Sequence, residues 1–403
     1  MAQNPILPPP SPMADKNNPV DWMFAFKFNA ATFPGCTDDG VTPVLGSTGI
    51  FGGIVDEYKS GHSQQYVFAT SASPTLVKGI ECIGGTENDP LGATFGQIYN
   101  TPGYYYVVWN DQFYNDPIEN MDSPWGHSKG MIAWNEDGEG MVLQVSTPSW
   151  PASASCLNPR QNDGNTLGCI NDDDIEVSQH FFSVKLTKDD VAIVLTALGN
   201  ASIATNLSQS SIVNNGGPDD IQALVNALGK ESKSKIVFQT TLSSGIQFIS
   251  KPSSLAVPPW QMVSSQLNGI DLRVASWWAS PNIYSSAAGQ IPDCWDNSLA
   301  RPGAVDIAIS GVWDGTVIGL EGGMGKNFNH AKIGISKDPS QPLCIFGDMN
   351  QQGAMAPNYA HQGQTCSSSQ NGRGGTFYVI DNPALFASIT ALLTGESAPV
   401  KPN

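Results

Sequence analysis

The sequence predicts a mixed protein of α/β or α+β type. Three observations lead there. Short apolar stretches of strand character recur along the whole chain, helix-start signals gather near its middle and end, and one strand-turn-strand pattern occurs twice.

The first ordered element falls at Val20–Asn29, where aromatic residues and partial alternation suit a strand, and a second strand is expected at Tyr104–Trp109. In the middle, Thr187-Lys-Asp-Asp190 has the spacing of a capping box ahead of the apolar run Val191–Leu198. Pro218-Asp-Asp then opens a helix over Ile221–Leu228, with Gly229 as its stop. Further strands are expected at Lys235–Phe238, Gly245–Ile249, Leu272–Trp278 and Val305–Ile309, and a last helix at Asn382–Leu393. The length divides into a flexible Pro-rich leader (1–19), a first half (20–185), a helical connection (186–234), a second half (235–395) and a tail (396–403).

Composition narrows the function. No window approaches ~18 uninterrupted apolar residues, so no membrane span is expected. The N-terminus as written has neither a basic start nor an apolar core, so no secretory signal is read from it. The net charge of −17, with only 19 Lys and Arg, argues against a nucleic-acid ligand unless a local basic patch does the binding or acidic pH weakens the repulsion. The seven cysteines show no zinc spacing. Cys156 and Cys169 flank a loop that suits a local disulfide, and a reduced chain with buried cysteines stands beside that reading.

The chemistry concentrates in two His-x-Lys triplets, His127-Ser-Lys129 and His330-Ala-Lys332, more than five histidines would supply by chance. Each heads a short apolar strand, followed by a polar turn and a second apolar strand. That match reads as an internal duplication. Side chains two apart on a strand share a face, so each His and Lys can address one site, with Ser128 and Ala331 turned away. Two such halves around a pseudo-two-fold axis would bring two imidazoles and two ammonium groups together. That set suits phosphodiester cleavage: the lysines hold the phosphoryl oxygens, one neutral His attacks phosphorus, and the other, protonated, serves the leaving group and then water. No metal and no cofactor is needed for those roles.

The same residues carry a family resemblance. His127-Ser-Lys-Gly130, followed by Ser146-Thr-Pro-Ser-Trp-Pro151, resembles the first active-site block of the deoxyribonuclease II family. His330-Ala-Lys332, followed by Gly347-Asp-Met-Asn350 and Gly374-Gly-Thr376, resembles the second. Asp21-Trp22 with Lys27, Asn110-Asp-Gln112 and Asn165-Thr-Leu-Gly-Cys169 match in family order, so the resemblance runs from about residue 20 to 395. It implies a phospholipase D-like fold, an αβα sandwich of two similar halves, each a mixed sheet flanked by helices. It also implies metal-free endonucleolytic cleavage of DNA to 3′-phosphate and 5′-hydroxyl ends, an acidic optimum, and a secreted, periplasmic or lysosome-like compartment. Carried over by position, His127, Lys129, His330 and Lys332 form the catalytic set. Asp348 and Asn350 are auxiliary polar groups, and analogy with related two-His-x-Lys enzymes favours His127 as nucleophile. Lys27, Asn110 and Ser146 are candidate substrate contacts. The chain departs from the broader phospholipase D pattern, which has Asp seven residues after each His where this one has Trp134 and Lys337, and Ala331 stands where the family commonly has Ser.

Other signals are weaker. The Asp163–Asp174 stretch reads as a solvated loop rather than a calcium site. His62, His180 and His361 have no neighbours that recruit them, Lys251 is a further phosphate candidate, and Trp277-Trp278 reads as core. Two readings stand beside the nuclease: a phospholipase D-type lipid phosphodiesterase and a nucleic-acid-binding protein without catalysis. The chain could act alone or as a homodimer.

Overall fold

A computed structural model describes residues 7–36, 47–48, 54–55, 63–80, 82–99, 101–112, 121–148, 176–210, 212–277, 284–323, 325–351, 355, 366–368 and 370–402. Two sheets dominate. The first contains β1 (Trp22–Lys27), β2 (Tyr66–Thr70), β3 (Ser73–Lys78), β4 (Tyr105–Trp109), β5 (Gly130–Trp134), β6 (Gly140–Val145), β7 (Gln179–Leu186) and β8 (Val213–Asn214), in the order β8-β4-β5-β6-β7-β1-β2-β3. The second contains β9 (Phe238–Thr241), β10 (Gln247–Lys251), β11 (Leu272–Ala275), β12 (Val305–Ile307), β13 (Ile333–Ser336), β14 (Leu343–Gly347) and β15 (Gly375–Asp381), in the order β9-β10-β15-β14-β13-β11-β12. The strand order β5-β6-β7-β1 in one sheet is matched by β13-β14-β15-β10 in the other, antiparallel throughout. The halves are therefore similar, as expected. They are not both mixed: the first sheet is wholly antiparallel, and the parallel pair β11/β12 makes only the second one mixed.

The sheets face each other. Phe24 and Phe182 from the first sheet meet Phe346 and Tyr378 from the second, with ring centroids 4.5 Å apart for Phe24–Phe346 and Phe182–Phe346 and 5.3 Å for Phe182–Tyr378. Burying each such ring contributes roughly 1.5–3 kcal/mol to the packing of one half on the other. Helix α1 (Pro90–Tyr99) flanks β1. Helices α2 (Lys188–Asn200) and α5 (Pro383–Leu392) follow β7 and β15 respectively and touch strands of both sheets. The capping box is present: Thr187 and Asp190 cap each other's ends of the first turn of α2. Helix α3 (Asp219–Asn226) has Pro218 at its N-cap, and α4 (Pro259–Gln266) lays Trp260 on the outer face of the second sheet, against Phe377.

Several boundaries differ from expectation. The strand placed at Lys235–Phe238 begins instead at Phe238, where the chain first pairs with Ser250. The leader is tied down from residue 7: Asn135 Nδ2 donates to the Leu7 carbonyl at 2.9 Å, Tyr104 Oη to that of Pro8 at 2.9 Å, and Gln97 Nε2 to that of Ser11 at 2.5 Å. Proline removes donors but leaves carbonyls, and the fold uses them. The tail is likewise docked, with Ala398 N donating to Ile307 O at 2.8 Å. The connecting region is not separate, since β8 pairs with β4. Disulfides join Cys36 to Cys82 and Cys294 to Cys366, which overturns the reduced reading, while Cys344 is buried and free. Cys156, Cys169 and the Asp163–Asp174 stretch lie outside the described residues.

Candidate active site

Each His-x-Lys segment is extended chain running into a central strand, β5 or β13, and the ladder reaches back to its lysine. Val145 N donates to Lys129 O at 3.0 Å, and Gly347 N to Lys332 O at 2.9 Å. The histidine backbones are held from the opposite half: His127 N donates to Gly374 O at 2.8 Å and His330 N to Ser178 O at 2.7 Å. Gly374 has no room for a side chain, because a Cβ would lie 2.2 Å from Ala201 O. The seam between the halves therefore sets where both histidines stand.

The four expected residues come together there. All are buried, with His127 and His330 each 5% exposed. They sense one another: Lys129 and Lys332 disfavour the charged form of both imidazoles, and His127 does so for His330. The His127 Nδ1 lies 2.9 Å from the Asp348 carbonyl oxygen. A carbonyl only accepts, so Nδ1 carries the proton and Nε2 keeps its lone pair, 3.2 Å from Asn350 Nδ2. The ring of His330 hydrogen-bonds the Ser146 backbone, its Nδ1 is 3.3 Å from Gln179 Oε1, and Trp277 meets it edge-on at 5.6 Å. Burial, and then the neighbouring lysines, hold both imidazoles well below the ordinary histidine range.

Two further charged residues complete the cluster. The Asp111 carboxylate pairs with Lys129, lies 2.8 Å from Arg373 Nη2 and is 4.0 Å from His127 Nε2. Burial alone would raise its pKa, but Lys129, His127 and Arg373 outweigh that and hold it well below the carboxylate range. Arg373 also donates to the carbonyls of Met121, Trp125 and Gly126, fastening the segment before His127. Neither residue was singled out from the sequence, although Asp111 sits inside the Asn110-Asp-Gln112 block and Arg373 directly precedes Gly374. A buried charge needs a partner, and that could have drawn attention to both.

The auxiliary expectations need correcting. Lys27 does not reach the cluster as a phosphate contact: its ammonium donates to the carbonyls of Val177, Ser63 and Phe28 inside the fold. Lys251 is buried in the same manner. Asn110 is a turn residue, accepting from Gln112 N at 2.8 Å and donating to Thr147 O at 3.4 Å, so its neighbour Asp111 is the one that enters the site. Ser146 meets His330 through its backbone, while its hydroxyl donates to Gln179 Oε1 at 2.5 Å. Asp348 likewise offers His127 its carbonyl. Its carboxyl is turned to Ser128 Oγ at 2.7 Å and to Thr376 N and Oγ1 at 2.9 and 2.6 Å, and burial pushes its pKa up to about 6. Asn350 alone of the auxiliary set touches a histidine ring of the cluster with its side chain. Trp277, expected in the core, stands at half-burial beside His330, and His180 Nδ1 accepts from Lys332 N at 3.2 Å. His62 and His361 lie outside the described residues.

Two imidazoles and two ammonium groups thus meet at the seam of a duplicated mixed α/β fold, and the comparisons with known proteins supply the class of protein. The family model for deoxyribonuclease II matches residues 55–392. The chain belongs to the deoxyribonuclease II family and is a DNA-hydrolysing nuclease. It is similar to the cell-death-related nuclease 7 of Caenorhabditis elegans, 24% identical over 287 residues that span 67% of each chain. Two crystal structures of yeast tyrosyl-DNA phosphodiesterase, each 9% identical, cover 68% and 72% of this chain and 81% and 84% of theirs, with TM-scores of 0.30 and 0.31.

Proposed function

We propose that this nuclease is an endonuclease that cleaves DNA without a metal, through a phosphohistidine intermediate, and works best at acidic pH. The observation that carries the reading is the composite cluster: His127, Lys129, His330 and Lys332, two from each half, buried within mutual electrostatic reach. Lys129 and Lys332 hold the non-bridging phosphate oxygens, Lys129 exchanging Asp111 for the incoming anion. The His127 Nε2 lone pair attacks phosphorus as the bond to the 5′-oxygen breaks, and His330 gives that oxygen its proton. The now neutral His330 takes a proton from water, which attacks the phosphohistidine. The P–N bond breaks, leaving a 3′-phosphate on one strand end and a 5′-hydroxyl on the other.

Burial and the lysines depress the proton affinity of His330 below a normal value of ~6.5, so its acid form gains population as pH falls. The phosphate charge between the two lysines offsets part of that depression. The test is plasmid nicking in excess EDTA across pH 4 to 8. Cleavage should persist with the chelator, rise toward acid, and fall by ~100-fold or more in His127→Ala and in His330→Ala. Cleavage abolished by EDTA, or retained by either variant, would sink the reading.

A further inference from the structure

Lys27 and Lys251 occupy equivalent places in the two sheets. Lys27 on β1 pairs across the ladder with Gln179 on β7, and Lys251 on β10 pairs with Gly375 on β15. The equivalence does not depend on the lysines, because the adjoining ladders align Val145–Phe181 with Gly347–Phe377. Both side chains are fully buried. The Lys27 ammonium donates to Val177 O at 2.6 Å, Ser63 O at 3.0 Å and its neighbour Phe28 O at 3.3 Å. That of Lys251 donates to Arg373 O at 2.8 Å, Asn371 O at 2.7 Å and its neighbour Pro252 O at 3.4 Å.

Each ammonium thus grips the carbonyl two residues before its own ladder partner. The residue between is Ser178 in one half and Gly374 in the other. Those are the residues whose carbonyls accept the backbone N–H of His330 and of His127. A buried ammonium carries a desolvation penalty that an apolar side chain of similar length would avoid. Two equivalent positions bear it, and both stand behind the segment that holds a histidine of the other half. We propose that Lys27 and Lys251 are positioning residues that act across the seam, Lys27 fixing the backbone of His330 and Lys251 that of His127. The proposal rests on the two-histidine mechanism above.

An activated substrate separates the two histidines. Thymidine 3′-(4-nitrophenyl phosphate) carries a leaving group that needs no proton, so attack still requires the nucleophile but release no longer requires the acid. His127→Ala should give no burst of nitrophenolate. His330→Ala should give a burst of one equivalent and then stall, since water is no longer activated. Lys251→Met should sort with His127→Ala and slow the burst by ~10- to 100-fold, and Lys27→Met should sort with His330→Ala and slow only turnover. In both, the substrate concentration that half-saturates the burst rate should stay within about twofold, because the phosphate-binding lysines are untouched. Lys251→Gln and Lys27→Gln, which keep a shorter donor, should show the same sorting with smaller factors and serve if the Met variants do not fold. Equal slowing of both phases in either series, or full activity, would overturn the proposal. Wild-type activity in both histidine variants would instead sink the mechanism itself.

Discussion

The two halves present the same backbone to the seam and different side chains around it. Ser146 and Asp348 hold equivalent positions, with His180 N donating to Ser146 Oγ at 2.8 Å and Thr376 N to Asp348 Oδ2 at 2.9 Å. The main chain of each holds the histidine ring of the opposite half. The surroundings of the rings then diverge. His127 has the Asp111 carboxylate 4.0 Å from Nε2, with Lys129, Arg373 and Lys332 opposing protonation of its ring, whereas at His330 Lys332, Lys129 and His127 oppose protonation and the Ser146 main chain favours it. Backbone pairing is shared because register leaves no freedom without turning side chains to the wrong face. The side chains around the rings are under no such constraint, and they are where two copies of one unit acquire separate proton affinities.

Removing the main source of that asymmetry should have the largest effect. Asp111→Asn leaves Lys129 and Arg373 buried with their charge uncompensated, a loss of about 3–5 kcal/mol by urea unfolding at pH 7. Because the folded-state pKa of Asp111 is depressed, the stability it contributes is present above the unfolded value of ~3.9 and is lost as pH falls through the folded one. The gap between wild type and variant should therefore be wide at pH 7 and shrink only in strong acid. A gap that closes near pH 6 would contradict the pairing.

Asp348→Asn is expected to act in the opposite sense and less strongly. The Asp348 pKa is raised to about 6, so the folded state holds a proton that the unfolded chain has released, and stability declines as pH rises between the two values. The variant lacks that decline. Relative to wild type it should gain on the order of 2 kcal/mol between pH 4 and 8, while the carbonyl that holds His127 stays in place. Identical pH–stability curves for the two proteins would refute a strained carboxylate. The smallest effect belongs to Ser128→Ala, which makes the first block match Ala331 of the second. Ser128 Oγ accepts from Trp109 Nε1 at 2.8 Å and donates to Asp348. Its loss should cost roughly 1 kcal/mol in unfolding free energy with cleavage rate nearly unchanged. A large fall in rate would mean that Ser128 faces the substrate after all.

Local signals carried a good part of the fold. Thr187 and Asp190 cap α2 as their spacing implied, and the final helix begins behind Asn382, whose side chain accepts from Leu385 N. Helix α4 was not legible, because Pro259 opens it and Trp260, Gln261, Met262, Val263, Ser264 and Ser265 are all buried, which erases the helical alternation that marks a surface helix. Lys27 was misread for a related reason. A lysine in a strand is ordinarily at the surface, and the carbonyls of Val177, Ser63 and Phe28 around Lys27 help make its burial tolerable.

The sequence by itself determined the two His-x-Lys segments and the duplicated strand-turn-strand setting of each. His-x-Lys at the head of an apolar strand puts both side chains on one face, and that geometry belongs to the strand alone. Only the tertiary structure decided what those groups become. The packing of Phe24 and Phe182 against Phe346 and Tyr378 brings residues from opposite halves within hydrogen-bonding distance. The same packing supplies Asp111 and Arg373, turns Asp348 inward, and buries all four His-x-Lys side chains. Proton affinity depends on burial and on charges a few ångströms away, and those distances are set by how the sheets pack rather than by spacing along the chain.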